Sequence, residues 1–164
     1  MRKRPRILVV GSLIYDFVAF ADHLPRRGET VMGKGFGMYT GGKGANQAVQ
    51  ASRLGAEVYM VGRVGDDFLG ERLLSNLQNS GVNTTYVKRD KSASTAACCI
   101  HVDANGNNAI IIAPEANMNV SPGDIDDAKE ALLSAEIMLC QFEIPMSSIE
   151  HTVNLASRNS IPII

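Results

Sequence analysis

Cysteine is scarce in this sequence, and its spacing argues against two classes of protein. The chain has three cysteines in 164 residues, Cys98, Cys99 and Cys140, with no C-x-x-C pair. Neither a disulfide framework nor a zinc site is indicated, so we expect a reducing compartment, the cytoplasm, and buried apolar packing of the cysteines. The histidines also lack ligand spacing, and we expect structural or surface roles for His23, His101 and His151.

The chain also lacks a charge surplus and a long apolar run. A net charge of −1 and a pI near 6.3 indicate no basic surface for nucleic acid or anionic lipid. No apolar stretch approaches the ~20 residues that span a bilayer. The start, "MRKRPR" and then "ILVVGSLIY", imitates a secretory signal, but Asp16 interrupts it and residues 7–10 also fit a buried strand. We expect a small neutral or acidic ligand, and neither nucleic acid nor a membrane as partner.

Strand and helix patterns alternate along most of the chain. Strands are predicted at "RILVV", "EVYMVG" and "EIMLCQF", and "IPII" opens a last one. Helices are predicted over 43–54, closed by Gly55, over 66–79, closed near Gly81, over 121–134, and from Pro145 onward. This rhythm predicts an α/β fold, a parallel sheet flanked by helices.

Two stretches interrupt the alternation. Residues 17–39 and 95–112 carry β-type residues with no helix between them, and "DANGN" at 103–107 is typical of a hairpin turn. We expect these strands to form a small antiparallel β-sheet that projects from the main one as a lid.

The glycine-rich stretch "GMYTGGKGANQA" at 37–48 nearly matches a phosphate-binding loop. Gly37, Gly42 and Lys43 have the required spacing, but Gly44 stands where that loop needs Ser or Thr to bind Mg²⁺. The preceding "TVMGKGFGM" is also not the buried strand that such a loop follows. A nucleotide is therefore not the favoured ligand of this segment.

Polar residues follow the predicted strands at one edge of the sheet. Asp16 comes after the first strand, Glu143 after "MLCQF", and "GGKGAN" opens a helix with free N–H groups. Carboxylates accept hydrogen bonds, Lys43 donates them and Asn46 does both, which suits a polyhydroxy ligand. Each residue also has a plain structural interpretation, as a turn residue, a helix cap or an exposed charge.

An ordered set of motifs resembles the N-terminal signature of ribokinase-like carbohydrate kinases of the phosphofructokinase-B type. The set consists of "GGKGANQA" followed at fixed spacing by Gly55 and Gly65, with "GSLIYD", "PRRGETV", "VGDDFLGE" and "LCQFEIP" in the family's order. The resemblance covers essentially the whole chain. It implies that residues 1–164 are the N-terminal portion of a ribokinase-like kinase domain, with lid strands from about 17–39 and 95–112.

The resemblance also implies a sugar site and an assembly. The residues expected to contact the sugar are Asp16, Gly42, Lys43, Asn46 and Glu143, with an apolar side from Cys98, Ile100 and Ile112. In this family the lid also pairs two subunits, so a homodimer is expected. Ribokinases commonly have Asn two residues before the aspartate, whereas this sequence has Ile14, so one sugar hydroxyl loses a partner. Ribose is the leading substrate, ahead of fructose and nucleosides.

Family members are longer and carry a catalytic aspartate, the ATP site and a monovalent-cation site near the carboxyl end. ATP, Mg²⁺ and a cation such as K⁺ are thus expected for the full-length kinase, and none is expected to bind well to this chain alone. No catalytic base is expected here, the C-terminal part of the fold is expected to be missing, and we expect no phosphoryl transfer from the 164-residue chain by itself.

Two other function classes remain open. A non-catalytic sugar-binding or regulatory protein would share every motif. A dinucleotide-dependent oxidoreductase is disfavoured, because "VVGSLIYD" has one glycine where G-x-G-x-x-G is required.

Overall fold

The computed structural model describes residues 4–164, and its main sheet confirms the predicted parallel architecture. The four strands are β1 (Arg6–Val10), β4 (Glu57–Gly65), β5 (Val82–Asp90) and β8 (Ile137–Cys140). They lie side by side in the order β5-β4-β1-β8, and all neighbours are parallel. The predicted last strand is reduced to a single parallel bridge between Ile163 and Met138, on the outer side of β8.

The second sheet is the expected lid. Its strands are β2 (Ile14–Phe20), β3 (Gly35–Gly41), β6 (Ala97–Val102) and β7 (Asn108–Ala113), in the order β3-β2-β6-β7. The prediction of a wholly antiparallel lid is wrong, because β2 and β6 pair in parallel. The two belong to separate excursions of the chain from the main sheet, so no hairpin joins them. The predicted hairpin between β6 and β7 is confirmed, with Gly106 at φ 82° in its turn.

The helices lie close to their predicted positions. They are α1 (Lys43–Arg53), α2 (Phe68–Asn79), α3 (Pro122–Asp127), α4 (Lys129–Ser134) and α5 (Met146–Arg158), with a 3-10 helix at Glu115–Asn119. The single helix predicted over 121–134 is wrong, because a turn at Ala128 divides it. There the Ala128 amide donates to the carbonyl of Ile125, three residues back rather than four. Among residues 4–164, none of the helices is long and apolar enough to cross a membrane.

Strand β5 was not predicted because its sequence, "VNTTYVKRD", is mostly polar. It lies at the edge of the main sheet, and only its end residues Val82 and Asp90 are buried. An edge strand needs no apolar alternation, since much of its surface faces water. The apolar pattern that identifies central strands is therefore absent.

Alternating side chains of β1 build the cores on the two faces of the main sheet. Leu8 packs with Ile125, Leu132 and other residues from α3 to α5, whereas Val9 packs with residues from α1 and α2 such as Leu73. All these side chains are at most 2% exposed. The sheet is thus covered on both faces, which leaves its strand ends for a site.

The expectation that every cysteine packs in an apolar interior is only partly correct. Cys98 is buried and Cys140 is partly buried, but Cys99 is exposed. Cys98 and Cys99 are neighbours on β6, and successive side chains of a strand point to opposite faces. One therefore faces the interior and the other the surface. His23 and His151 lie on the surface, paired with Glu29 and Asp126.

A charged network joins β4 and β5 to the start of α3. Arg63 donates two hydrogen bonds to Asp124, of 2.8 and 3.0 Å, and one of 3.0 Å to Asp90. Lys88 pairs with Asp124 at 2.8 Å. Burial raises the pKa of Asp124, but hydrogen bonds from Arg63 and Lys88 outweigh that effect and lower the pKa to about 2.

Asp124→Asn is expected to destabilise the fold. The charged carboxylate contributes stability above its unfolded pKa of 3.8, and that contribution, about 2 kcal/mol, is lost as pH falls through about 2. At pH 7 the free energy of unfolding, measured in urea, should be about 3 kcal/mol lower in the variant. It should also change less as the pH is lowered. The control Asp127→Asn removes an exposed partner of Lys88 and should cost under about 1 kcal/mol. Equal losses in both variants would contradict this assignment.

Candidate functional site

The site begins where helix α1 meets the connection between β1 and β2. Gly42 caps α1 with φ 92°, a conformation that glycine adopts readily. A Cβ at this position would lie 2.7 Å from the backbone nitrogen of Ile14 and 2.8 Å from the carbonyl oxygen of Ser12. The glycine loop therefore packs directly against the chain that leaves β1, at the carboxyl edge of the main sheet.

Glu143 binds to both of these segments. Its carboxylate accepts a 2.6 Å hydrogen bond from the Ser12 hydroxyl and a 3.3 Å bond from the Lys43 amide, and it pairs with the Lys43 ammonium group. Burial raises the pKa of Glu143, but the hydrogen bonds from Lys43 and Ser12 outweigh it, so the pKa lies below its usual value. Glu143 is thus held as an anion at the start of α1. A phosphate there would meet this negative charge, which agrees with the argument against a nucleotide.

Asp16 lies on β2, close to this pair but without a partner of its own. Within residues 4–164 its half-buried carboxylate has no hydrogen-bond donor, and it packs so closely on Gly41 that a Cβ there would clash with it. Burial and the negative charge of Glu143 raise the pKa of Asp16. The carboxylate therefore has free acceptor capacity at the edge of the site.

The opposite side of the site is apolar. Asp16 is aligned in the lid with Cys98, and Cys98 in turn with Ile112. Ile14, two residues before Asp16 and on the same face of β2, packs with Cys98, and Ile100 lies against them. We call Ile14, Cys98 and Ile112 the apolar wall. A cavity of about 220 Å³ is lined by Ile14, Ile112 and Glu143 among others, so apolar and acidic groups share it.

Asn46 lies apart from the other predicted residues. It is exposed on the first turn of α1, and its side chain has no hydrogen-bond partner in the described part of the chain. It lines a second cavity, of about 330 Å³, with Thr40, Arg53 and Asn76. The structure thus brings together Asp16, Gly42, Lys43 and Glu143, with Cys98 and Ile112 beside them, while Asn46 faces a neighbouring opening.

Sequence reasoning missed two residues that support the site. Ser12 is fully buried and donates a hydrogen bond to Glu143, and its place two residues after β1 was a usable signal. Asn117 is also fully buried, and its amide bonds both the nitrogen and the oxygen of Leu13, at 3.1 and 3.0 Å. The two are 104 residues apart in sequence, so no local pattern could have revealed this contact.

The arrangement offers several hydrogen-bonding groups and no evident metal site. Two carboxylates and an ammonium group lie near one another beside the start of α1, and Glu143 also lines a cavity together with apolar side chains such as Ile14 and Ile112. In the part of the chain that the structure describes, no group of His, Cys, Asp and Glu side chains is arranged to hold a metal ion. Such a set of groups suits a small molecule with neighbouring hydroxyls.

Comparisons with known proteins agree on one family. Residues 4–162 match the family described as pfkB family carbohydrate kinase. Similar curated proteins include the ribokinase of Bacillus subtilis, 40% identical, and the deoxyribokinase of Salmonella typhi, 36% identical, each over 158 residues. These alignments cover 96% of this chain but 54% and 52% of the two relatives. The chain therefore spans about half the length of the curated relatives it matches.

Solved structures give the same result. The structure of Arabidopsis thaliana ribokinase complexed with ribose and ATP matches with a TM-score of 0.85 and 33% identity, covering 98% of this chain and 53% of that one. The ribokinase from Thermotoga maritima matches with a TM-score of 0.84 and 32% identity, covering 97% and 51%.

Lys43→Met is expected to raise the pKa of Glu143, because it removes the cation and one donor that stabilise the charged carboxylate. A pH titration of the ¹³C-labelled carboxyl followed by NMR would measure the change. Lys34→Met, which removes the partner of Asp22 on the lid, is the matched control and should leave Glu143 unchanged. An unaltered Glu143 pKa in Lys43→Met would mean that the two groups are not paired in solution.

Proposed function

Because the chain belongs to the pfkB family of carbohydrate kinases, we propose that its site binds the sugar substrate of a ribokinase-type kinase. Such a kinase transfers the γ-phosphoryl group of ATP to a sugar hydroxyl, and we take the 5-hydroxyl of ribose as the leading acceptor. The observation that carries the proposal is that the Asp16 carboxylate, beside the Glu143–Lys43 pair, has no hydrogen-bond donor within residues 4–164.

The proposed binding mode divides the hydroxyls among these groups. Asp16 accepts hydrogen bonds from two neighbouring hydroxyls, because its carboxylate has no protein donor to give up. Lys43 donates to a sugar oxygen and Glu143 accepts from a hydroxyl at the cost of loosening their mutual pair. Gly42 contributes a backbone contact. We keep Asn46 as a proposed sugar contact from the first turn of α1, although its side chain lines the neighbouring cavity and would have to turn toward the sugar. Cys98, Ile100 and Ile112 contact the carbon side of the ring.

The chemistry of transfer is not assigned to these residues. The matching ribokinase of Arabidopsis thaliana is complexed with ribose and ATP, which supports ATP as the donor, and we include Mg²⁺ and a cation such as K⁺ in the proposal. Residues 4–164 offer no cluster of metal-binding side chains for these ions. We assign the chain the sugar-binding role and propose no catalytic base among its residues.

Related functions would use the same site. A non-catalytic sugar-binding or regulatory protein is one alternative, and a kinase for fructose or a nucleoside is another. We place the protein in the cytoplasm, which suits its three free cysteines.

We also propose that the lid pairs two copies of the chain. On the lid face opposite Asp16, Phe36 and Ile111 are 65% and 70% exposed, and Met38 is 44% exposed. The outer strand β7 is exposed along its full length, so its free edge is available to a partner as well. A second copy would cover this apolar face without blocking the sugar.

Asp16→Ala is expected to weaken ribose binding by at least ~100-fold. Two charge-assisted hydrogen bonds at roughly 1.5–3 kcal/mol each account for a loss of this size. Titration calorimetry, or saturation-transfer NMR if binding is weak, would measure the affinities of both chains. Asp22→Ala removes another lid carboxylate, one that pairs with Lys34, and should bind ribose like the parent. Unchanged affinity in folded Asp16→Ala would remove Asp16 from the site.

Ile111→Asp should convert the dimer to a monomer, because it buries an unpaired charge in the apolar face. Sedimentation velocity would report the number of chains. Leu133→Asp places the same charge on the exposed surface of α4 and should leave the assembly unchanged. A parent chain that sediments as a monomer would contradict the proposed dimer. A dimer that survives Ile111→Asp would show that the interface lies elsewhere.

A further inference from the structure

Two side-chain contacts join helix α1 to the segment after β8. Glu143 pairs with Lys43, the first residue of α1, as part of the candidate site. Gln141, which directly follows β8, donates a hydrogen bond from Nε2 to Oε1 of Gln47 on the same helix. Phe142 lies between the two residues and is 80% exposed. The side chains of 141 and 143 therefore turn to the helix, while that of 142 turns to the surface.

The two contacts lie on one face of α1. Lys43 and Gln47 are four residues apart, and helical residues at this spacing are neighbours on the surface. The Gln141–Gln47 contact is therefore one turn further along the helix than the Glu143–Lys43 pair. Contacts at two heights restrict the rotation of a helix about its axis, whereas a contact at its end alone does not. The direction in which Lys43 leaves the helix thus depends on the glutamine contact.

The side chain of Gln141 has little room to move. It is 7% exposed, and its Oε1 lies so close to Gly11 that a Cβ there would be 1.9 Å away. Gly11 also touches α1, since a Cβ on Gly44 would lie 2.8 Å from the carbonyl carbon of Gly11. Gln141 therefore crosses the chain just after β1 before it reaches Gln47. A side chain confined in this way is a firm support for the helix.

The buried amide of Gln141 is unfavourable for stability. Its Oε1 has no hydrogen-bond partner within residues 4–164. A buried acceptor without a donor costs free energy, and an apolar side chain of the same length would avoid that cost. A group of this kind in a folded protein needs an explanation other than stability. The position of α1 supplies one.

The Lys43–Glu143 pair cannot fix the helix by itself. The Lys43 side chain is 65% exposed and flexible, so its ammonium group can follow Glu143 while the backbone of α1 moves. The Lys43 amide also reaches Glu143, but at 3.3 Å, a long hydrogen bond. In the proposed binding mode both side chains turn partly to the sugar. The Gln141–Gln47 contact is outside that exchange and remains in place.

We propose that Gln141 is a positioning residue for the sugar site and that it acts through Gln47 on the start of α1. It keeps Lys43 aligned with Glu143 in the free protein and within reach of the sugar in the complex. The effect on sugar binding rests on the proposed function. The effect on the Lys43–Glu143 pair does not require a ligand.

Two variants remove the contact from opposite sides. Gln141→Met replaces the buried amide with an apolar side chain of the same length, and Gln47→Met removes the acceptor on the exposed surface of α1. Each is expected to weaken ribose binding about fivefold in titration calorimetry, the effect of one lost hydrogen bond. The double variant should bind no more weakly than either single variant, because both changes remove the same contact.

Two further measurements distinguish positioning from a purely structural role. In the ¹³C NMR titration, both variants should raise the pKa of Glu143, because Lys43, which lowers it, is less well placed. Gln141→Met should not lower the free energy of unfolding in urea, because it removes the unpaired oxygen together with the amide. A purely structural residue would lower that free energy and leave the pKa of Glu143 unchanged.

The matched control is Gln50→Met, which changes another exposed glutamine of α1. The Gln50 side chain makes no hydrogen bond within residues 4–164, so neither the affinity nor the pKa of Glu143 should change. If the parent binds ribose and both contact variants keep its affinity, or its Glu143 pKa, the inference is wrong while the proposed function stands. If the parent binds no pentose, the proposed function fails, and the pKa of Glu143 decides the positioning role. Should Gln141→Met not fold, Gln47→Met decides.

Discussion

The candidate site depends on the anchoring of one carboxylate, that of Glu143. Three parts of the chain meet at this group: the connection after β1 through Ser12, the start of α1 through Lys43, and the segment after β8 that carries Glu143 itself. The start of a helix favours a negative charge because its first N–H groups are unpaired. Lys43 adds a full positive charge to that effect, so the ionised form of Glu143 is strongly favoured.

The nearby carboxylate of Asp16 is then the group at this edge of the sheet that is most available to a ligand. Asp16 lies within the electrostatic influence of Glu143, and burial adds to the cost of its charge. Lys43 is paired with Glu143, and Asp16 has no hydrogen-bond donor among the described residues. An uncompensated acceptor of this kind is poorly solvated in the free protein, and hydroxyl donors of a ligand would relieve it. The same feature that costs stability thus provides binding energy.

The lid contributes the apolar half of the site through its register. Aligned residues of neighbouring strands lie on the same face, so one row contains Asp16, Cys98 and Ile112. The adjacent row, which includes Cys99 and Ile111, points the other way. A shift of one residue would exchange the two rows and remove the carboxylate from the site. The buried amide of Asn117, which holds Leu13 on both sides, keeps the start of β2 in place.

Much of the fold and part of the site were determined by the sequence alone. Apolar runs of the central strands, Gly55 and Gly81 after helices, and the turn at 103–107 are local signals, and each is confirmed. The order of Asp16, "GGKGAN" and Glu143 along an alternating pattern was enough to place them at one sheet edge. Tertiary structure alone decided the strand β5, the parallel pairing of β2 with β6, the support from Asn117 and the separate position of Asn46. These features depend on which distant segments come together and on how each side chain is oriented, and local patterns do not encode such long-range contacts.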